Sequence, residues 1–258
     1  MMRVKLVKDE RLRRILVAIF YVAYLITVGY CLKNAGTVEE ICVYLILLLA
    51  VPVGIWTEII RYCYTAASDA LNEKCDPLRC MKLNRFVRRG DILQQFTSLA
   101  LYQGAFAMLD MDQSDQILPY LEKYGTANSR RAERINFDGN YLLFSLAAVS
   151  GDRKAMKLHY QQLERLMDNA KSKNADMMTL QMVIAGIYLA ASRDSAEAIQ
   201  IFETVELERI RPREQAYYYY YFAKACAAAN QTDRAAELYG KARTMAPNIT
   251  LFAHKPII

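Results

Sequence analysis

The hydrophobic pattern divides the chain in two. From Ile15 to Leu32 and from Ile41 to Trp56, apolar side chains follow one another, and neither run shows a polar face over its middle section. From Asp91 onward, helical segments alternate instead with short polar breaks. Continuous apolar runs of this length are read as membrane helices, and interrupted ones as helices that bury a single stripe. The pattern therefore predicts an all-α chain. Two apolar helices, over about residues 15–32 and 41–60, precede a series of helical hairpins.

The first run is bounded by Arg14 and Lys33 and, at 1.5 Å per residue, reaches roughly 27 Å, enough for a thin bilayer. The second extends to Ile60 if Glu58 lies at headgroup level, and Pro52 is a kink that membrane helices tolerate. Asn34, Gly36 and Thr37 form the short turn between them. Tyr21, Tyr24 and Tyr30, with Trp56, Tyr62 and Tyr64, partly resemble an interfacial aromatic belt. Charge then sets a direction. Arg3, Lys5, Lys8, Arg11, Arg13 and Arg14 precede the first run, and Arg61, Lys74, Arg79, Lys82, Arg85, Arg88 and Arg89 follow the second. The connecting turn holds only Lys33, beside Glu39 and Glu40. This asymmetry predicts a cell-membrane protein with two spans and both termini cytoplasmic, the lipid bilayer being the partner of residues 15–60. A cleaved signal peptide shares the basic start, but no A-x-A site follows its core. The bulky Tyr30 before Cys31 argues against lipoprotein processing. A pair of buried soluble helices would need polar faces that neither run has.

Residues 65–90 read as a basic juxtamembrane helix and linker, broken at Asp76-Pro77. Their charges fit either contact with anionic headgroups or a topology signal on a solvated face. The net charge of +6 gathers here and at the N-terminus, a placement that speaks for membrane topology before nucleic acid, and no nucleic-acid partner is expected. The six cysteines have no scaffold spacing and read as free thiols. Cys75 and Cys80 have no second pair to complete a tetrahedral metal site, and His159 and His254 lie far away.

Within the hairpin region the clearest unit runs from Tyr217 to Pro247. It contains Tyr219-x2-Phe222-Ala223-x2-Cys226, then Ala235-x3-Tyr239-x2-Ala242, then Pro247. Ala223, Ala235 and Ala242 let two helices approach, Phe222 and Tyr239 fill the space between them, and Asn230 suits a left-handed turn position. This unit resembles a tetratricopeptide (TPR) repeat, W-x2-L-G-x2-Y, A-x3-F, P, with Tyr219 for Trp, Ala223 for Gly and Cys226 for Tyr. Met182-x2-Ala185-Gly186-x2-Leu189 with Ala198-x3-Phe202 matches the same template, and Pro212 follows two residues late. Leu142-Leu143-x2-Leu146 with Ala155 matches it less, because His159 stands at the large apolar position. Gln103-Gly104-x2-Ala107 with Tyr120 matches least, and Pro119 intrudes on its second helix. The anchors Gln116, Ala155, Ala198 and Ala235 are 39, 43 and 37 residues apart, against about 34 in a TPR. The expected organisation is a membrane hairpin (1–64), a basic linker (65–90), about four irregular hairpins in a TPR-like solenoid (91–250) and a tail (251–258).

The resemblance implies a protein-interaction surface, a groove lined by the first helix of each unit. The matching positions are Asn140 and Phe144, Val183 and Ile187, and Tyr217, Tyr220 and Lys224. Five consecutive tyrosines, Tyr217 to Tyr221, cover every face of a helix, so some rings are expected in the core and others outside; the other reading is that all these aromatics pack between helices. Arg209, Arg211 and Arg213 fall in the preceding loop, where the default reading is a solvated loop and the functional one is contact with an acidic partner. The sequence contains no phosphate loop, G-x-S-x-G or H-E-x-x-H motif. It also lacks a persuasive pair of carboxylates, so neither an enzyme nor a cofactor is expected. The reading is a membrane-anchored scaffold for an unidentified protein partner. The alternative is an accessory subunit of a membrane transport or secretion complex.

Overall fold

The computed structural model describes residues 2–124, 132–169 and 174–254. These residues form helices and turns, with no strand among them. The chain divides into two compact units, Met1–Ile59 and Ile60–Ile258.

The first unit contains α1 (Met2–Lys33) and the first part of α2 (Val38–Asn72). The turn between them is pinned at both sides. Asn34 closes α1 through its side-chain amide, which donates to the Tyr30 carbonyl at 2.9 Å. Thr37 and Glu40 form a capping box for α2: the Glu40 amide donates to the Thr37 hydroxyl at 3.2 Å, and the Glu40 carboxylate accepts from the Gly36 amide at 2.9 Å. Farther along, the two helices lie side by side. The Tyr21 ring fills the space over Gly54, where a Cβ would stand 2.2 Å from its hydroxyl. Tyr24 donates its hydroxyl to the Leu47 carbonyl at 3.1 Å, and Arg13 pairs with Glu58 at 2.8 Å. Among the described residues, three helices are long and apolar enough to cross a membrane: Leu12–Lys33, Val38–Asn72 and Ala175–Ser192. The most apolar stretch of each of the first two is almost wholly exposed, whereas the third packs among other helices of the second unit.

In the second unit α2 continues to Asn72. It is followed by α3 (Pro77–Gly90), α4 (Thr97–Asp110), α5 (Ile117–Tyr124), α6 (Ala132–Ser150), α7 (Arg153–Asp168), α8 (Ala175–Ser192), α9 (Ser195–Glu203), α10 (Pro212–Ala228), α11 (Thr232–Met245) and α12 (Thr250–His254). Neighbours in sequence pair in space as α3 with α4, α6 with α7, α8 with α9 and α10 with α11. The turns use the residues that their geometry demands. Gly151 and Asn230 take left-handed backbone angles, φ 78° and 59°. Asp152 caps α7 and Asn174 caps α8.

Two expectations are corrected here. Residues 65–90 are mostly helix rather than linker. Ala67, Ala70, Leu71, Cys75 and Cys80 lie in the same core as the later hairpins, and α3 packs along α4. The basic residues of α3 obscure this in the sequence, because its buried side is only the narrow stripe of Pro77, Cys80, Asn84 and Val87. Pro212 opens α10 instead of ending the preceding helix, since the first helical position needs no amide donor. The tail turns back in part: Ile249, Leu251 and Phe252 are buried, while residues 255–258 lie outside the described residues.

Candidate functional site

The positions assigned to a groove lie where α4, α6, α8, α10 and α12 converge. Helix α10 is the centre of this arrangement. It packs on α8, α9 and α11, and this surround explains why a run of five tyrosines is tolerated. Tyr217 turns toward α4 and donates its hydroxyl to the Asp110 carboxylate at 2.7 Å. Tyr218 donates to the Phe202 carbonyl at 2.9 Å. Tyr220 stacks on Phe252 of α12, ring centres 4.8 Å apart. Tyr221 is buried as well, and only Tyr219 keeps substantial contact with the outside.

The polar heart of this interior is an ion pair. Arg213, one residue into α10, meets Asp110 at the end of α4 through two parallel hydrogen bonds: Nε to Oδ2 at 2.8 Å and a terminal nitrogen to Oδ1 at 2.6 Å. Both side chains are buried, and the guanidinium lies between the Phe106 and Tyr217 rings, 5.0 and 4.9 Å from their centres. The geometry is the bidentate fork that makes arginine a strong partner for a carboxylate. Burial opposes the charge on Arg213, but the adjacent Asp110 outweighs it and holds the guanidinium firmly protonated. Burial, and then the Asp110 charge, push the Tyr217 hydroxyl well above its ordinary range, so it remains a donor. Glu214, next in the chain, is raised by burial, and its Oε2 has no hydrogen-bond partner among the described residues.

A cavity of about 10 Å³ remains beside the pair, lined by Tyr141, Ser145, Ile187, Arg213, Tyr217 and Tyr221. That is room for about one water molecule, too little for a side chain of another protein. Among the described residues, no group of three or more His, Cys, Asp or Glu side chains is placed to hold a metal ion.

The seven groove positions are thus divided. Phe144, Val183, Ile187, Tyr217 and Tyr220 are buried, at 6% exposure or less. They pack against other helices of this chain, which corrects the expectation that they line an open groove. The reason is closure. The Asp110–Arg213 pair joins α4 to α10, and α12 packs on α4 and brings Phe252 against Tyr217 and Tyr220. Asn140 is half-buried and bonded to His159 Nδ1 at 3.0 Å. Lys224 is exposed, with its ammonium 5.7 Å from the centre of the Tyr221 ring.

Of the three arginines expected in the preceding loop, Arg209 pairs with Glu206 and lies 3.9 Å from Asp176. Arg211 is exposed, and Arg213 is the buried member of the central pair. Sequence reasoning missed that pair because its members are 103 residues apart. One signal was present: Asp110 closes an otherwise apolar run, Ala105 to Leu109, and a charge on a helix buried all round needs a partner. No family model, no curated protein and no solved structure matches this chain.

Proposed function

We propose that this chain is a membrane-anchored adaptor. Residues 12–60 are its two-span anchor, with both termini on the cytoplasmic side, and the helical hairpins after them form a TPR-like domain that binds another protein. The observation that carries the reading is the exposure of α1 and the first part of α2. Leu16, Ile19, Phe20, Ile26, Ile46 and Leu49 all point outward, every one more than half exposed. In water such surface costs about 25 cal/mol per Å², and in hydrocarbon it costs nothing. The Arg13–Glu58 pair sits at the end of the hairpin where headgroups would meet it. Residues 60–258 have a core of their own, as an adaptor domain requires. The fit of Tyr120 over Gly104 and of Phe202 over Gly186 supports the TPR-like reading of the hairpins. In this reading the partner meets the outer surface, where Lys224 and part of Asn140 are within reach, and not the closed interior.

The same exposed helices favour one alternative, an accessory subunit of a membrane transport or secretion complex, in which helices of other subunits cover them. Co-purification in mild detergent separates the two. The full chain is compared with a chimera whose residues 12–59 are replaced by an unrelated two-helix anchor. Partners retained by the chimera support the adaptor, and partners lost with the native hairpin support the subunit. Topology has its own test. A cysteine placed at Gly36 should react with an impermeant reagent from outside, and a reporter fused after residue 258 should be active only in the cytoplasm. An external C-terminal reporter would sink the adaptor reading.

A further inference from the structure

Helix α3 and the loop after it present a surface that the interior architecture does not use. The helix carries Arg79, Lys82, Arg85, Arg88 and Arg89 and no acidic residue. Its buried side is made by Pro77, Cys80, Asn84 and Val87. At 100° per residue, Leu78, Lys82, Arg85, Phe86 and Arg89 share the opposite side, with Arg79 at its margin, and all six are exposed. Arg88 is committed elsewhere: it donates to the Tyr120 hydroxyl at 2.9 Å and lies over that ring. The dipole at the end of α3 favours Arg89, but it does not account for Arg79, Lys82 and Arg85, which lie earlier in the helix.

Apolar side chains accompany these charges. Leu78 is 63% exposed and Ile92 is 78% exposed, and Phe86 and Leu93 are exposed as well. The loop that holds Ile92 and Leu93 outward is built. The buried Asp91 carboxylate accepts from the amides of Gln95, Phe96 and Thr97 at 3.1, 2.6 and 2.8 Å, and Gln94 takes a left-handed angle, φ 51°. A basic face studded with bulky apolar residues is the composition of helices that lie in the headgroup layer of an anionic membrane.

We propose that this face, with Arg79, Lys82, Arg85 and Arg89 on phosphates and Leu78, Phe86, Ile92 and Leu93 in the acyl boundary, is a docking surface for anionic lipid. The proposal rests on the reading of residues 12–60 as a membrane anchor, from which residues 61–76 separate α3 in the chain. Each basic residue near an anionic surface then strengthens residence roughly fivefold. The contact weakens as salt shortens the screening length.

The test uses the full chain in lipid nanodiscs, with a solvatochromic amino acid at Leu93 or, as the control, at the exposed Leu158 of α7. The expected result is a blue shift at position 93 in phosphatidylglycerol discs, smaller in phosphatidylcholine discs and absent at 158. More than half of the shift should be lost with Arg79→Gln, Lys82→Gln, Arg85→Gln and Arg89→Gln combined. An aqueous signal at 93 in both lipids, or an equal shift at 158, overturns the proposal. So does a probe that is shielded only in native membranes, because the face would then belong to a protein. Failure of the chain to stay with the discs would sink the anchor reading instead. Phosphatidylglycerol vesicles added to the same labelled chain then decide the surface by themselves, a shift at 93 supporting it and no shift refuting it.

Discussion

Removing the Asp110 carboxylate would leave the Arg213 guanidinium buried between Phe106 and Tyr217 without its counter-charge. Asp110→Ala should therefore cost about 3–5 kcal/mol in chemical denaturation. Replacing both members, Asp110→Leu with Arg213→Met, should recover most of that loss, because the desolvation cost of each ion disappears with the pair. Glu214 gives a test with a pH signature. Its folded carboxyl is raised by burial, so the protonated form is favoured in the fold. Stability from this group is full below the unfolded value, near 4.3, and is lost as pH rises through the folded one. Glu214→Gln should accordingly raise the melting temperature at pH 7, and the gain should shrink to nothing as pH falls toward 4. A gain that persists at low pH would assign the effect to packing instead.

The helices and their turns were legible because small and large residues recur at helical spacing. Gly186 and Phe202 illustrate this: they were matched from the pattern, and the ring occupies the place of a missing side chain, with ring carbons 2.5–2.9 Å from an ideal Cβ. Phe202 is itself fixed between Tyr218 and Phe222 and cannot retreat. Gly186→Ala should then destabilise by about 1–3 kcal/mol, despite the gain of about 1 kcal/mol in helix propensity. At Gly104 the obstacle is the hydroxyl end of the half-exposed Tyr120, which can swing aside, so Gly104→Ala should be close to neutral. Thermal melts of the two variants give the ordering. In the second hairpin the packing aromatic stands one residue beyond the template position. The aromatic that faces Phe144 is Tyr160, ring centres 6.3 Å apart, and it also stacks on Tyr188 at 4.4 Å. His159 occupied the template position because a short pattern carries no information about its neighbouring hairpin. Element existence is a local property, whereas the side that an element buries is decided by what surrounds it.

At the scale of residues 60–258, an open array of hairpins unfolds piecemeal, since each unit touches only its neighbours. The pair between α4 and α10, and the seat of α12 on α4, replace that behaviour with mutual dependence. Amide exchange should show α4 and α10 opening with one free energy, and Phe252→Ala should lower protection in both. A loss confined to α11 and α12 would restore the open solenoid. No local pattern could have revealed this closure, because it joins residues that no repeat template compares. It also orders events during synthesis. Asp110 is made 103 residues before Arg213, which at 5–20 residues per second is an interval of roughly 5–20 s. Through that time α3 and α6 can settle on the nascent α4, but its Asp110 carboxylate still lacks the guanidinium that pairs with it. The early half of the domain must wait, solvated or chaperoned, for the late half to arrive.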